Sequence, residues 1–247
     1  MLDILYQDDE LVAINKPSGL LVHRSLIDTR EHEFALQLTR DQIGQRVYPV
    51  HRLDRPTSGV LLFALSSHTA RAVAEQFSER GVHKQYLALV RGYADEQGHI
   101  DYPLKEQLDK IADKQADTNK EAQPAVTDYQ TLEQQELPFA VGRYPSARYS
   151  LLTLTPHTGR KHQLRRHLKH IFHPIVGDTS HGDGKHNHFV REKFNCHRLM
   201  LHALKLQLEH PITKRPIHLH ASVPDDMSTL LKAMGFNLSH NALSQYA

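Results

Sequence analysis

Nine residues, His51-Arg52-Leu53-Asp54-Arg55-Pro56-Thr57-Ser58-Gly59, set one carboxylate among two guanidiniums on a chain about to bend. If the side chains converge, the two cations favour the ionised form of Asp54. Pro56 and Gly59 turn the backbone directly afterwards, and Val60-Leu61-Leu62-Phe63-Ala64-Leu65 reads as a fully buried strand. A carboxylate on a turn at the mouth of a rigid strand is placed to act as nucleophile or base. The plainer reading is an Asp that caps a turn and makes a surface ion pair. The density of Pro, Thr, Ser and Gly around Asp54 favours chemistry. A protein-kinase catalytic loop is excluded, since it needs His-Arg-Asp contiguous with an Asn further on.

Several elements must position this stretch. Residues 3–6 and 11–14 flank an acidic turn and read as a hairpin, which Asn15-Lys16-Pro17-Ser18-Gly19 breaks. A helix is expected over about 31–42, with Phe34, Ala35 and Leu38 inward. Another should run from Ser66 or Ser67 to Arg80, closed by Gly81, with Ala70, Val73, Ala74 and Phe77 as its apolar stripe. Residues 83–92 form a strand carrying Tyr86, Ala88 and Val90 on one face and Leu87 and Leu89 on the other. Residues 105–122 are highly charged and read as an exposed excursion. Strands resume at about 125–132 and 147–155, separated by the turn Gly142-Arg143-Tyr144-Pro145. A helix opens at Thr158 and runs to about Phe172, stopped by Pro174. Its spacing turns Leu164, Leu168 and Ile171 inward and puts Lys161, Arg165 and Lys169 on another stripe. A Gly/His-rich loop spans 181–188. Strands at 198–208 and 217–223 and a helix over 225–234, ended by Gly235, complete the chain. At 247 residues the chain could be one large domain or two small ones.

Composition narrows the function. Of 247 residues 39% are hydrophobic and 23% charged, as in an ordinary soluble protein. The single Cys196 rules out an internal disulfide and suits a reducing cytoplasm. The acidic N-terminus lacks the layout of a signal peptide, and no apolar run reaches the length of a membrane span. Net charge is only +2, but Leu137 to Gly177 contains no Asp or Glu. That interval holds Arg143, Arg148, Arg160, Lys161, Arg165, Arg166 and Lys169, a footprint for phosphates if they share a face. Among twenty histidines, His162, His167, His170 and His173 crowd one helix and His181, His186 and His188 one loop. The zinc-binding helical spacing with an adjacent Glu is missing, so they read as RNA-contacting or surface groups and no metal is expected.

His51-Arg52-Leu53-Asp54 with Thr57-Ser58-Gly59 resembles the signature of the RluA family of pseudouridine synthases. The likeness continues through Lys16-Pro17, the strand around Tyr86, His162-Gln163-Leu164-Arg165 and the stretch around Leu201, nearly the whole chain. The resemblance implies an α+β fold with 1–247 as a single catalytic domain, a core of mixed, largely antiparallel sheet with flanking helices and a central active-site cleft. It implies Asp54 as nucleophile, Arg165 as its partner, Tyr86 stacked on the target base, Leu201 lining the base pocket and Lys16 in a turn beside the site. Lys16, Arg52, Arg55, Arg160, Lys161 and Arg166 are expected to bind substrate. Within the family the likeness is strongest to a stand-alone tRNA-modifying member, which implies uridine 65 of tRNA as target. It further implies no cofactor, no small S4-type RNA-binding domain before the core, a monomer with no obligate protein partner, and a cytoplasmic location. The alternatives are the same chemistry on ribosomal RNA, a non-catalytic RNA-binding module and a histidine-based metal hydrolase. A binding module has no use for a carboxylate that repels phosphate.

Overall fold

The computed structural model describes residues 1–24, 32–106 and 121–237. The first hairpin forms because the Asp8 carboxylate accepts from the Glu10 and Leu11 amides, both at 2.8 Å. It pairs β1 (Asp3–Gln7) with β2 (Leu11–Lys16). Next comes α1 (Ala35–Ile43), with Phe34 buried as its N-cap and Gly44 in the left-handed conformation at its end. Glu31, expected to open that helix, and most of the charged excursion at 105–122 lie outside the described residues. The short β3 (Tyr48–Pro49) leads through the Asp54 segment into β4 (Ser58–Ala64), all seven residues of which are buried. Its aromatic Phe63 is fully enclosed, and truncation to Ala would cost about 3–5 kcal/mol.

Helix α2 (Ser67–Ser78) starts where the Ser66 hydroxyl accepts from the Thr69 amide at 3.0 Å. Its left-handed exit falls on Arg80 and not on the expected Gly81, because the Gly81 amide closes the turn onto the Gln76 carbonyl. Then follow β5 (His83–Arg91), β6 (Gln97–Asp101), β7 (Val126–Leu137) and β8 (Ala147–Pro156). The sequence reading has no counterpart for β6, a short polar strand whose pattern gives no signal of its own. The helix expected from Thr158 begins later, as α3 (Gln163–His170), and stops earlier. Where a loop was expected at 181–188, the Asp183 carboxylate caps α4 (Gly184–Phe194). The chain closes with β9 (Leu201–Glu209), β10 (Pro216–His220) and α5 (Asp225–Ala233).

Among the described residues the strands make one sheet, ordered β1-β2-β4-β9-β5-β8-β7-β6, with β3 on β4 and β10 on β9. Every pairing is antiparallel except β4 with β9, which touch in parallel at Ser58–His202 and Gly59–Ala203. A side chain at Gly59 would meet the Ala203 carbonyl at 2.2 Å, so glycine is required for that approach. Tyr86 lies opposite Ala203 and Leu154, and Ala88 opposite Leu201 and Leu152, so these residues share one face. On that face α3 packs Leu164 and Leu168 into the cluster holding Leu201, while Ala35 of α1 packs into the cluster holding Ala203. Tyr86 touches both clusters and marks the seam between them.

Candidate active site

Asp54 sits on a turn closed by the Thr57 amide on the Asp54 carbonyl at 3.0 Å. A second loop, residues 16–20, is laced to it. The Gly19 amide donates to the Arg55 carbonyl at 2.9 Å, the Ser18 hydroxyl to the Pro56 carbonyl at 2.7 Å, and Arg55 Nε to the Gly19 carbonyl at 3.0 Å. Lys16 fixes both loops from beneath. It is fully buried, and its Nζ donates to the carbonyls of Pro17 at 2.9 Å, Leu20 at 2.7 Å and Arg55 at 3.0 Å. All three ammonium protons are thus committed to backbone. Expected among the substrate-binding groups, Lys16 instead faces inward and clamps the loop that bears Asp54. Burial, with repulsion from Arg198, pulls its pKa down to about 7 against the opposing pull of Asp54.

The partner of Asp54 arrives from α3. Arg165 Nη1 donates to Asp54 Oδ2 at 3.1 Å, while Nε and Nη2 grip the two Asp178 oxygens at 2.7 and 2.9 Å. Asp178 also accepts from the Ser180 and His181 amides, both at 2.9 Å. Burial alone would raise the Asp178 carboxyl, but Arg165 and these amides outweigh it and hold it below its ordinary range. Arg165 shares a helical stripe with Lys161 and Lys169, but it alone of the three is buried, held between two carboxylates. Asp54 keeps 26% of its side chain exposed, so one side of it stays open.

Two histidines complete the cluster. His162 Nε2 lies 3.9 Å from Asp54 Oδ1, and its Nδ1 is 3.2 Å from His181 Nε2. His162 holds φ 55°, a left-handed conformation unusual for a non-glycine residue. Burial lowers its pKa more than the Asp54 carboxylate raises it. Tyr86 adjoins the same carboxylate, and burial together with Asp54 pushes its hydroxyl far above the usual range.

Known proteins resemble this chain in sequence and in fold. Residues 10–170 match the model of the RNA pseudouridylate synthase family. The chain belongs to that family. It is 55% identical over 239 residues to tRNA pseudouridine synthase C of Vibrio cholerae, covering 97% of this chain and 98% of that protein. It is 61% identical over 221 residues to tRNA pseudouridine synthase C of Pectobacterium carotovorum, covering 90% of this chain but 59% of that protein. The solved structure of human RNA pseudouridylate synthase domain containing 1 superimposes with a TM-score of 0.72 at 27% identity, covering 100% of this chain and 94% of that one. The chain is accordingly a pseudouridine synthase, an isomerase.

The synthase places the other expected residues unevenly. Leu201 is buried on the Tyr86 face, one diagonal step away. Arg52 is exposed near His23, whose pKa burial and Arg52 lower. Arg160 Nε donates to the Pro124 carbonyl at 3.2 Å, and Arg166 Nη1 to the Lys105 carbonyl at 2.9 Å. Lys161 is half-buried at the start of α3. His167, one of the histidines read as RNA-contacting or surface groups, is instead fully buried and bonds the Thr127 hydroxyl and Tyr102 carbonyl, both at 3.0 Å, anchoring α3. Asp178 and His162 were missed as site residues. The only signal for Asp178 is its place after Gly177, where a Cβ would meet the Arg198 carbonyl at 1.9 Å. Among the described residues no group of three or more His, Cys, Asp or Glu is placed to hold a metal ion, and no helix is long and apolar enough to cross a membrane.

Proposed function

We propose that this synthase converts one uridine of tRNA to pseudouridine, with Asp54 as the reacting carboxylate. The observation that carries the reading is the contact between Asp54 and Arg165, which orients a carboxylate that is still open to a substrate. The tRNA target rests on the relatives named above, and position 65 is the target implied by the sequence resemblance. In the same reading the chain works as a single catalytic domain and a monomer in the cytoplasm.

The rearrangement breaks the C1′–N1 bond, turns the uracil and joins C1′ to C5. A proton leaves C5 and N1 gains one, so the change is redox-neutral and needs no cofactor. A uracil inside a paired stem cannot reach Asp54 and must be flipped out, at a cost of a few kcal/mol in lost stacking. Arg52 is suited to hold the vacated position, and Tyr86 and Leu201 to sandwich the base. Arg165 holds Asp54 aimed while the carboxylate attacks or abstracts. Arg55, Arg160, Lys161 and Arg166 supply positive charge for the backbone.

Asp54→Asn tests the assignment. Turnover on tRNA should fall to background while tRNA binding and the unfolding midpoint persist; retained turnover refutes it. Pseudouridine mapping of tRNA from cells with and without the protein identifies the target, and loss of a site other than 65 would correct the position alone.

A further inference from the structure

The turn closing helix α3 holds a residue whose side chain stands in solvent. The His173 amide donates to the Leu168 carbonyl at 2.8 Å and the Phe172 amide to the Lys169 carbonyl at 3.1 Å, the double bond of a Schellman cap. The residue between these amides must be left-handed and is usually glycine. Here it is Phe172, at φ 64°. A bulky L-residue is disfavoured there, since its Cβ crowds the following carbonyl. The ring gains nothing in return, because Phe172 is 77% exposed. Arg80 takes the same conformation after α2, but a long cation loses little by standing in water. Phe172 is also held still: its carbonyl accepts from Arg91 Nη2 at 3.0 Å, and Arg91 Nη1 is fixed by Asp183 at 2.6 Å.

The surroundings indicate what the ring meets. Beside it on α3 are exposed Lys169 and His170, and the His170 ring stacks on Tyr102 with centroids 3.7 Å apart. The whole interval Leu137 to Gly177 carries no acid. A fixed exposed aromatic on a basic surface is the arrangement that stacks nucleobases of a single strand. Phe172 lies seven residues beyond Arg165, roughly 10 Å along the helix from the group that touches Asp54.

We propose that Phe172 is a stacking platform for an unpaired nucleobase of the RNA substrate, a few nucleotides from the flipped uridine. The inference rests on the reading of Asp54 as the site of chemistry. It gives the end of α3 a role in binding and none in the reaction.

Phe172→Gly separates the two costs. It removes the ring and supplies the residue the cap prefers, so the thermal midpoint should be no lower than that of the wild type. Affinity for a pool of unmodified tRNA transcripts should weaken about tenfold, with kcat unchanged at saturation. Phe172→Leu should weaken binding similarly, and Phe172→Trp should restore it. A single-stranded uridine oligomer, titrated in parallel, should show the same order. Equal affinities for wild type, Gly and Leu variants overturn the proposal, as does a fall in midpoint for Phe172→Gly with binding intact, which would make the ring structural or the seat of a protein partner. If wild type fails to modify tRNA yet oligomer affinity still follows Phe172, the tRNA reading fails and the platform stands.

Discussion

Two buried arginines grip the same short segment and behave differently. Arg165 reaches Asp54, and Arg198 reaches Ser58, donating to its hydroxyl at 2.5 Å. Arg198 also meets Asp226 at 2.7 Å, but that carboxylate is 58% exposed, whereas Asp178 beside Arg165 is 1% exposed. Around Arg198 every bond closes on protein. Ser58 donates to His202 Nδ1 at 2.8 Å and His202 Nε2 donates to the Ala221 carbonyl at 3.2 Å, which puts the imidazole proton on Nε2. Around Arg165 one carboxylate oxygen of Asp54 is left with only His162 near it, 3.9 Å away, and with part of its surface open. The comparison teaches that charge, burial and an arginine do not mark a reactive site. In the proposed reading, what marks it is a fully anchored guanidinium next to an acid whose coordination is unfinished.

The sharpest break is Asp178→Asn. It removes the charge that anchors Arg165 and leaves a buried guanidinium to pull on Asp54 alone. Turnover should fall about a hundredfold or more through misplacement, with about 3–5 kcal/mol lost from stability. Lys16→Met strips donors from three enclosed carbonyls and should cost roughly 3 kcal/mol in urea unfolding, with kcat falling as the Asp54 loop shifts.

Acid provides a third test. Burial holds His202 at about 4, and burial with Lys84 nearby holds His51 at about 3, its Nε2 accepting from the Leu62 amide at 3.0 Å. The unfolded chain protonates both near pH 6.5 while the native state refuses the protons. Their stabilising effect is therefore full above pH 6.5 and is lost as pH falls toward 4. Urea midpoints should drop by the equivalent of about 2–3 kcal/mol between pH 7 and 5.5. The mildest change is Arg198→Met, expected to cost roughly 1–2 kcal/mol with kcat nearly unaltered. A large loss of turnover there would erase the distinction between the two arginines.

How far the sequence showed this differs by element. The hairpins, β4 and the amphipathic α2 follow from alternation, apolar runs and a serine cap, all local signals. The meeting of Asp54 with Arg165 came from family likeness, since no local rule links residues 111 positions apart. Lys16 shows why side-chain type misleads: an ammonium suggests phosphate, yet its direction is set by backbone carbonyls that only the folded loops bring together. His162 and Asp178 were hidden for the same reason. The helix at 184–194 was obscured by histidines and glycine, and only the Asp183 cap gives its start away.

The parallel contact between β4 and β9 has a consequence for synthesis. Gly59 cannot settle against Ala203 until the ribosome has released a segment 144 residues downstream of Ser58. Such distant closure is slow, because the intervening chain must first be ordered. A nascent chain halted after α3 would carry both Asp54 and Arg165 without the strand that seats one beside the other. Competence in this synthase therefore waits for β9.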